Sequence, residues 1–137
     1  METDTLNTLV TGAIWRAEQL EALCIRSSQA WAEVSSFEEE LAKMIPVSES
    51  LGRLARRGSV RAALKAGDYV RAHALLDNYT ADKDAPQSLK ADLRKIVGDS
   101  DRAIASRFRY AAKHHSLREA RDLAQRFRTA GAFGLAA

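Results

Sequence analysis

Apolar residues recur along the first third of the chain at alternating steps of four and three. The series runs Leu6, Val10, Ala13, Ala17, Leu20 and Cys24, then, past Ser27, Trp31, Val34, Phe37, Leu41 and Met44 or Ile45. This spacing predicts an α-helix with one apolar stripe, and its seven-residue period is also that of a coiled-coil seam. Thr3 or Asp4 can cap the start, and Pro46 ends the pattern. An unbroken rod over residues 5–45 would run about 60 Å, whereas a compact chain of this length has a radius of gyration of about 14 Å. Either the helix breaks, or it stands out and packs on a partner, a second copy of the chain included. Ser27-Ser28 and Ser35-Ser36 are the candidate breaks. Ser36 followed by Glu39 fits a capping box, which favours a new helix at that point.

Shorter amphipathic stretches follow, separated by explicit punctuation. Leu51, Ala55, Gly58 and Ala62 form one stripe, stopped by Gly67; Asp68 caps a second carrying Tyr69, Ala72, Leu76 and Tyr79. Asp82 to Pro86 reads as a loop. Leu89, Leu93, Ile96 and Val97 mark a helix ended by Gly98. Asp99 or Ser100 then caps another, with Ile104, Phe108, Ala111 and Ala112. Ser116 caps the last, with Leu117, Ala120, Leu123, Ala124 and Phe127. No segment alternates with the two-residue period of a strand. The expectation is a single all-α domain over 1–137: a long N-terminal helix or helix pair (1–46), an αα-hairpin (49–80), a helix (86–97), a second hairpin (100–130) and a tail (131–137).

The two hairpins resemble each other at a shift of 48 positions. Arg61, Ala63, Lys65, Ala72 and Leu75 recur as Arg109, Ala111, Lys113, Ala120 and Leu123, while Asp68 falls on Ser116 and Tyr79 on Phe127. The segment Ala66-Gly67-Asp68-Tyr69-Val70-Arg71-Ala72-His73-Ala74-Leu75-Leu76 resembles the turn and second helix of a tetratricopeptide repeat, in which an alanine, here Ala72, lets two helices approach closely. The resemblance covers about 20 residues in each copy. Val60 and Phe108 stand where that family prefers a small residue, and Tyr79 and Phe127 where it prefers alanine. What the resemblance implies is an adaptor or chaperone that binds a protein partner through its helical surface.

Composition sharpens this reading mainly by exclusion. Of 137 residues 46% are hydrophobic and 28% charged, with one cysteine and two prolines. That excludes a disulfide scaffold, a collagen-like chain and global disorder. The acidic start Met1-Glu2-Thr3-Asp4 lacks the basic region of a secretory signal, and no run of 18 apolar residues occurs. Cytoplasmic location without membrane insertion is the expectation, with Cys24 as a small hydrophobe.

The net charge of +3 conceals a division: residues 1–50 sum to −6 and residues 51–137 to +9. Arg53, Arg57, Arg61 and Lys65 step by four along one predicted helix. Arg102, Arg109 and Lys113 share another face, and Arg118, Arg121, Arg126 and Arg128 load the last. A solvated surface, partly neutralised by the acidic segment, is the simpler reading of these bases. An acidic protein surface or nucleic-acid phosphates are the alternatives.

No residue set points to catalysis, a metal or another cofactor. His114 and His115 are adjacent and point about 100° apart on a helix, so they cannot share a metal as an i,i+4 pair would. His73 is isolated. Glu38-Glu39-Glu40 is expected to face solvent, and the glycines stand singly rather than in a phosphate loop. Arg56-Arg57-Gly58-Ser59-Val60 resembles a basophilic kinase site, against the plainer reading of Ser59 as a helix start. Trp15 falls beside the apolar stripe and is the candidate apolar anchor for a partner. The expected function is thus a non-catalytic protein-interaction module. Its binding residues would be Arg57, Arg61, Lys65, Arg109, Lys113, Arg118 and Arg121, together with Trp15. A helical nucleic-acid-binding subunit using the same basic face is the alternative.

Overall fold

The computed structural model describes residues 2–23, 25–114 and 117–129 and, in the last helix, the side chains of 118–119, 121–122 and 124–126. The fold is all-α. Among the described residues six helices follow in order: α1 (Thr3–Ala22), α2 (Ser28–Met44), α3 (Ser50–Lys65), α4 (Tyr69–Ala81), α5 (Gln87–His114) and α6 (Leu117–Thr129). Among the described residues no helix is long and apolar enough to cross a membrane. Cys24, Ser116 and the 131–137 tail lie outside the described residues, as do the side chains of Ala120, Leu123 and Phe127.

The N-terminal stripe breaks at its first serine pair. The N–H groups of Leu23 and Ile25 donate to the carbonyls of Gln19 and Leu20, which closes α1 before α2 starts at Ser28. α1 then folds back along α2. Leu6 and Val10 join Leu41, Ala42 and Ile45 in one buried cluster, and Ala17 joins Ala30, Trp31 and Val34 in another. Burying a Leu- or Val-sized side chain gains about 1.5–3 kcal/mol, a gain that an isolated rod forgoes. The capping box expected at Ser36 does not form, because Ser35 and Ser36 lie inside α2. Ser35 is fully buried and spends its hydroxyl across the seam, donating to the Ser59 carbonyl of α3 at 2.8 Å. Of the two alternatives for the end of the stripe, Ile45 is buried and Met44 exposed.

α3 packs along α2 through small residues, with Gly52, Ala55, Ser59 and Ala62 all buried. A side chain at Gly52 would meet the carbonyl oxygens of Pro46 and Ile45, so the chain can reverse this tightly only without a Cβ. Gly67 supplies a left-handed turn at φ +76°. Asp68 caps α4 by accepting the Arg71 backbone N–H at 3.0 Å. On α4 the buried residues are Ala72, Leu75 and Tyr79; of the two leucines Leu75, not Leu76, is buried.

The expected helix end at Gly98 and restart at Asp99 or Ser100 are absent. α5 runs through both as one helix of 28 residues, about 42 Å long. Leu89, Leu93, Val97 and Ile104 stay buried on one face across Gly98, and that packing outweighs the roughly 1 kcal/mol a helical glycine costs. Asp99, instead of capping, pairs with Lys95 at 2.8 Å and with Arg102. The second hairpin therefore consists of the C-terminal part of α5 and α6. Its relation to the first is one of sequence more than of packing. Val60 and Ala63 are fully buried, whereas Phe108 and Ala111 at the matching positions are only half-buried.

Candidate interaction surfaces

The predicted basic residues separate into two groups. Those on α3 are largely engaged within the molecule. Arg57 reaches Asp92 of α5 at 2.8 Å, and Arg53 donates to the carbonyls of Val47 and Ser48. Lys65 lies 3.8 Å from Glu21 of α1 and sits over the Trp31 ring, 4.4 Å from its centroid. Arg61 is exposed. Arg56 and Arg71, not singled out from the sequence, bind inward: Arg56 to the carbonyls of Ile45 and Gly52, Arg71 to Ser35 and Glu39. Neutralisation by acidic side chains thus reaches Arg57, Lys65 and Arg71 of α3 and α4.

On the distal hairpin the described bases stand at the surface instead. Beyond Ile104 no described side chain is buried, and among the described residues α6 meets only α5. The acidic α1 is packed on α2, away from α5 and α6. Arg107, Arg109, Lys113, Arg118, Arg121 and Arg126 are all exposed. From Ala105 to Thr129 the sequence holds seven Lys or Arg against Glu119 and Asp122. Tyr110 is 60% exposed on the same helix, with its ring 4.4 Å from that of His114.

Trp15 is 64% exposed on α1, and Leu23 and Ile25 are exposed at the end of that helix and in the connection to α2. The predicted Arg109, Lys113, Arg118 and Arg121 therefore share the distal hairpin, whereas Arg57, Arg61 and Lys65 belong to the packed body and Trp15 to the opposite end of the helix order.

Two sequence expectations are overturned here. Ser59 neither starts a helix nor offers a kinase site. It is fully buried in mid-α3, where its hydroxyl bonds the Arg56 carbonyl and, at 3.1 Å, the Tyr79 hydroxyl. Glu38 was expected at a solvated face and is only 7% exposed. Its carboxyl group lies over Gly58, where an added Cβ would come within 2.5 Å of Oε1, and burial pushes its pKa up to about 7. The signal was present in the spacing: Glu38 stands four residues after Val34 and three before Leu41, on the stripe itself, while Phe37 is only half-buried. Glu39 and Glu40 behave as charged surface residues, paired with Arg71 and Lys43.

Glu38 lines a cavity of about 220 Å³ between α1, α2 and α3, together with Ile14, Trp31, Val34 and Arg61. A larger hollow of about 450 Å³ lies where α2, α3 and α4 meet. On its walls Glu39, Arg56 and Tyr79 already have partners within the protein. His73 bridges α4 to Asp101 of α5 at 3.1 Å.

Comparison with models of protein families, with curated proteins and with solved structures finds no match.

Proposed function

We propose that the protein is a non-catalytic interaction module that docks an acidic protein surface on its distal hairpin. The observation that carries this reading is the exposure of the basic residues on the α5–α6 hairpin, beyond the last buried side chain at Ile104. A cationic surface this dense repels itself, and an anionic partner relieves the repulsion. Exposed Trp15, at the other end of the helix order, offers a second, apolar contact of the type that anchors protein interfaces. An adaptor or chaperone role, as the tetratricopeptide resemblance implies, fits such a two-point surface. The same hairpin also favours a second reading, nucleic-acid binding, through exposed Tyr110 beside Arg109 and Lys113.

Affinity capture of the full chain from its own cells, with the mass of the complex measured before and after nuclease treatment, distinguishes the two. The expected result is a nuclease-resistant complex containing a protein partner, lost when Arg109, Lys113, Arg118 and Arg121 are all changed to Glu. A complex that nuclease dissolves supports the second reading. A complex indifferent to the four charge reversals removes the hairpin from either role.

A further inference from the structure

α1 carries two stripes of the same rhythm on opposite sides. Leu6, Val10, Ala13, Ala17 and Leu20 recur by steps of four and three and pack on the body. Asp4, Thr8, Thr11, Trp15, Glu18 and Ala22 recur by the same steps two residues out of phase, about 200° around the helix. Every residue of this second stripe is exposed. The hydroxyls of Thr8 and Thr11 donate back to the carbonyls of Asp4 and Asn7, at 2.9 and 3.0 Å, so they add no free proton donor to it. The stripe thus has Trp15 near its middle and a carboxylate toward each end. Arg16 pairs with Glu33 and Glu21 lies 3.8 Å from Lys65, whereas Asp4 and Glu18 form no ion pair among the described residues.

The distal hairpin is the complement of this stripe. Its bases Arg107, Arg109, Lys113, Arg118, Arg121 and Arg126 are exposed and likewise form no ion pair among the described residues. Tyr110, 60% exposed, stands among them on α5. Because α1 packs away from α5 and α6, the acidic stripe and the basic hairpin of one chain do not meet. Two copies can bring them together. We propose that the acidic surface docked on the distal hairpin is the outer stripe of α1 from a second copy of this chain, with Trp15 seated between the two carboxylate contacts. The proposal rests on the reading of the hairpin as a dock for an acidic protein, and it names the occupant. The contact joins two different patches, so each bound copy still presents a free stripe or a free hairpin. Association therefore continues past the dimer, into a closed ring or an open chain. One helix on one hairpin belongs to the small class of interfaces, below about 1,200 Å², and exposed charges are screened over about 10 Å at 0.1 M salt. The contact is accordingly weak and salt-dependent.

The test is sedimentation velocity of the purified full chain, at up to about 1 mM to reach weak binding and in about 0.01 M salt to lengthen the range of the charges. The expected result is a mean mass above twice the 15.1 kDa of one chain, falling back to one chain at about 1 M salt. Trp15→Ala should weaken the association about tenfold or more. Two further variants test the pairing itself: Asp4→Lys with Glu18→Lys on the stripe, and Arg109→Glu, Lys113→Glu, Arg118→Glu and Arg121→Glu together on the hairpin. Each should stay monomeric alone, and the two should associate when mixed, because each supplies the surface that the other lacks. A chain that stays monomeric at low salt, a dimer that grows no further, or an association indifferent to salt overturns the proposal. So does a mixture of the two folded variants that remains monomeric. A monomeric chain that still loses a captured protein partner on the four hairpin reversals overturns this proposal alone and leaves the hairpin as a dock for a different acidic protein.

Discussion

Glu38 is the residue whose environment departs furthest from its sequence neighbourhood. Its native pKa of about 7, raised by burial from 4.5, means that the folded protein holds this proton more tightly than the unfolded chain. Linkage then fixes the sign. The stability associated with the neutral form is fully present below about pH 4.5, declines as pH rises, and is lost above about 7. After allowance for screening by solvent at the cavity mouth, the loss is about 2 kcal/mol. Glu38→Gln keeps the shape and removes the charge. It should raise stability above pH 7 by that amount and flatten the profile, as checked by urea unfolding at several pH values. A native protein equally stable on both sides of this range would contradict the burial. The residue was legible as to position, because Trp31, Val34, Glu38, Leu41 and Ile45 keep helical spacing. It was misread because a run of three glutamates reads as surface, and only the missing side chain of Gly58 on the facing helix makes room for one of them.

At the scale of elements, the periodicity located the helical segments but not every boundary, leaving one helix or two open over 5–45 and dividing α5 at Gly98. Boundaries were legible where local chemistry is unopposed: Pro46, Gly67 with its positive φ, the Asp68 cap and the 82–86 loop. They were not legible where a capping signal competes with tertiary burial. Ser36-to-Glu39 and Gly98-to-Asp99 both look like ends, yet each lies within a helix whose buried face continues through it. Gly52 and Gly98 differ accordingly. A Cβ on Gly98 would come no closer than 3.4 Å, and then only to the guanidinium end of the Arg102 side chain. Gly98→Ala should therefore stabilise the protein by about 0.5–1 kcal/mol through helix propensity. Gly52→Ala places its methyl group against backbone carbonyls and should cost roughly 1–3 kcal/mol. Chemical denaturation of the two variants checks the contrast, and equal effects would show that the α2–α3 turn is looser than described.

Over the whole molecule, helix order separates charge. The sequence showed an acidic first third and a basic remainder, but not which bases would be consumed internally. That depends on contacts distant in the chain, Arg57 with Asp92 and Arg71 with Glu39, which no local pattern encodes. Six exposed bases, Arg107, Arg109, Lys113, Arg118, Arg121 and Arg126, lie on α5 past Ile104 and on α6, beyond the buried core. Arg109, Lys113, Arg118 and Arg121 were singled out from the sequence by charge alone, and the fold places them on one hairpin. Arg57 and Lys65 of the same predicted set are held within the body. Hydrogen exchange of the full chain, alone and in its purified complex, tests this division most directly. The expected result is new protection on the C-terminal part of α5 and on α6, with α2 to α4 unchanged. Protection confined to α2, α3 and α4, with the distal hairpin exchanging as in the free protein, would contradict it.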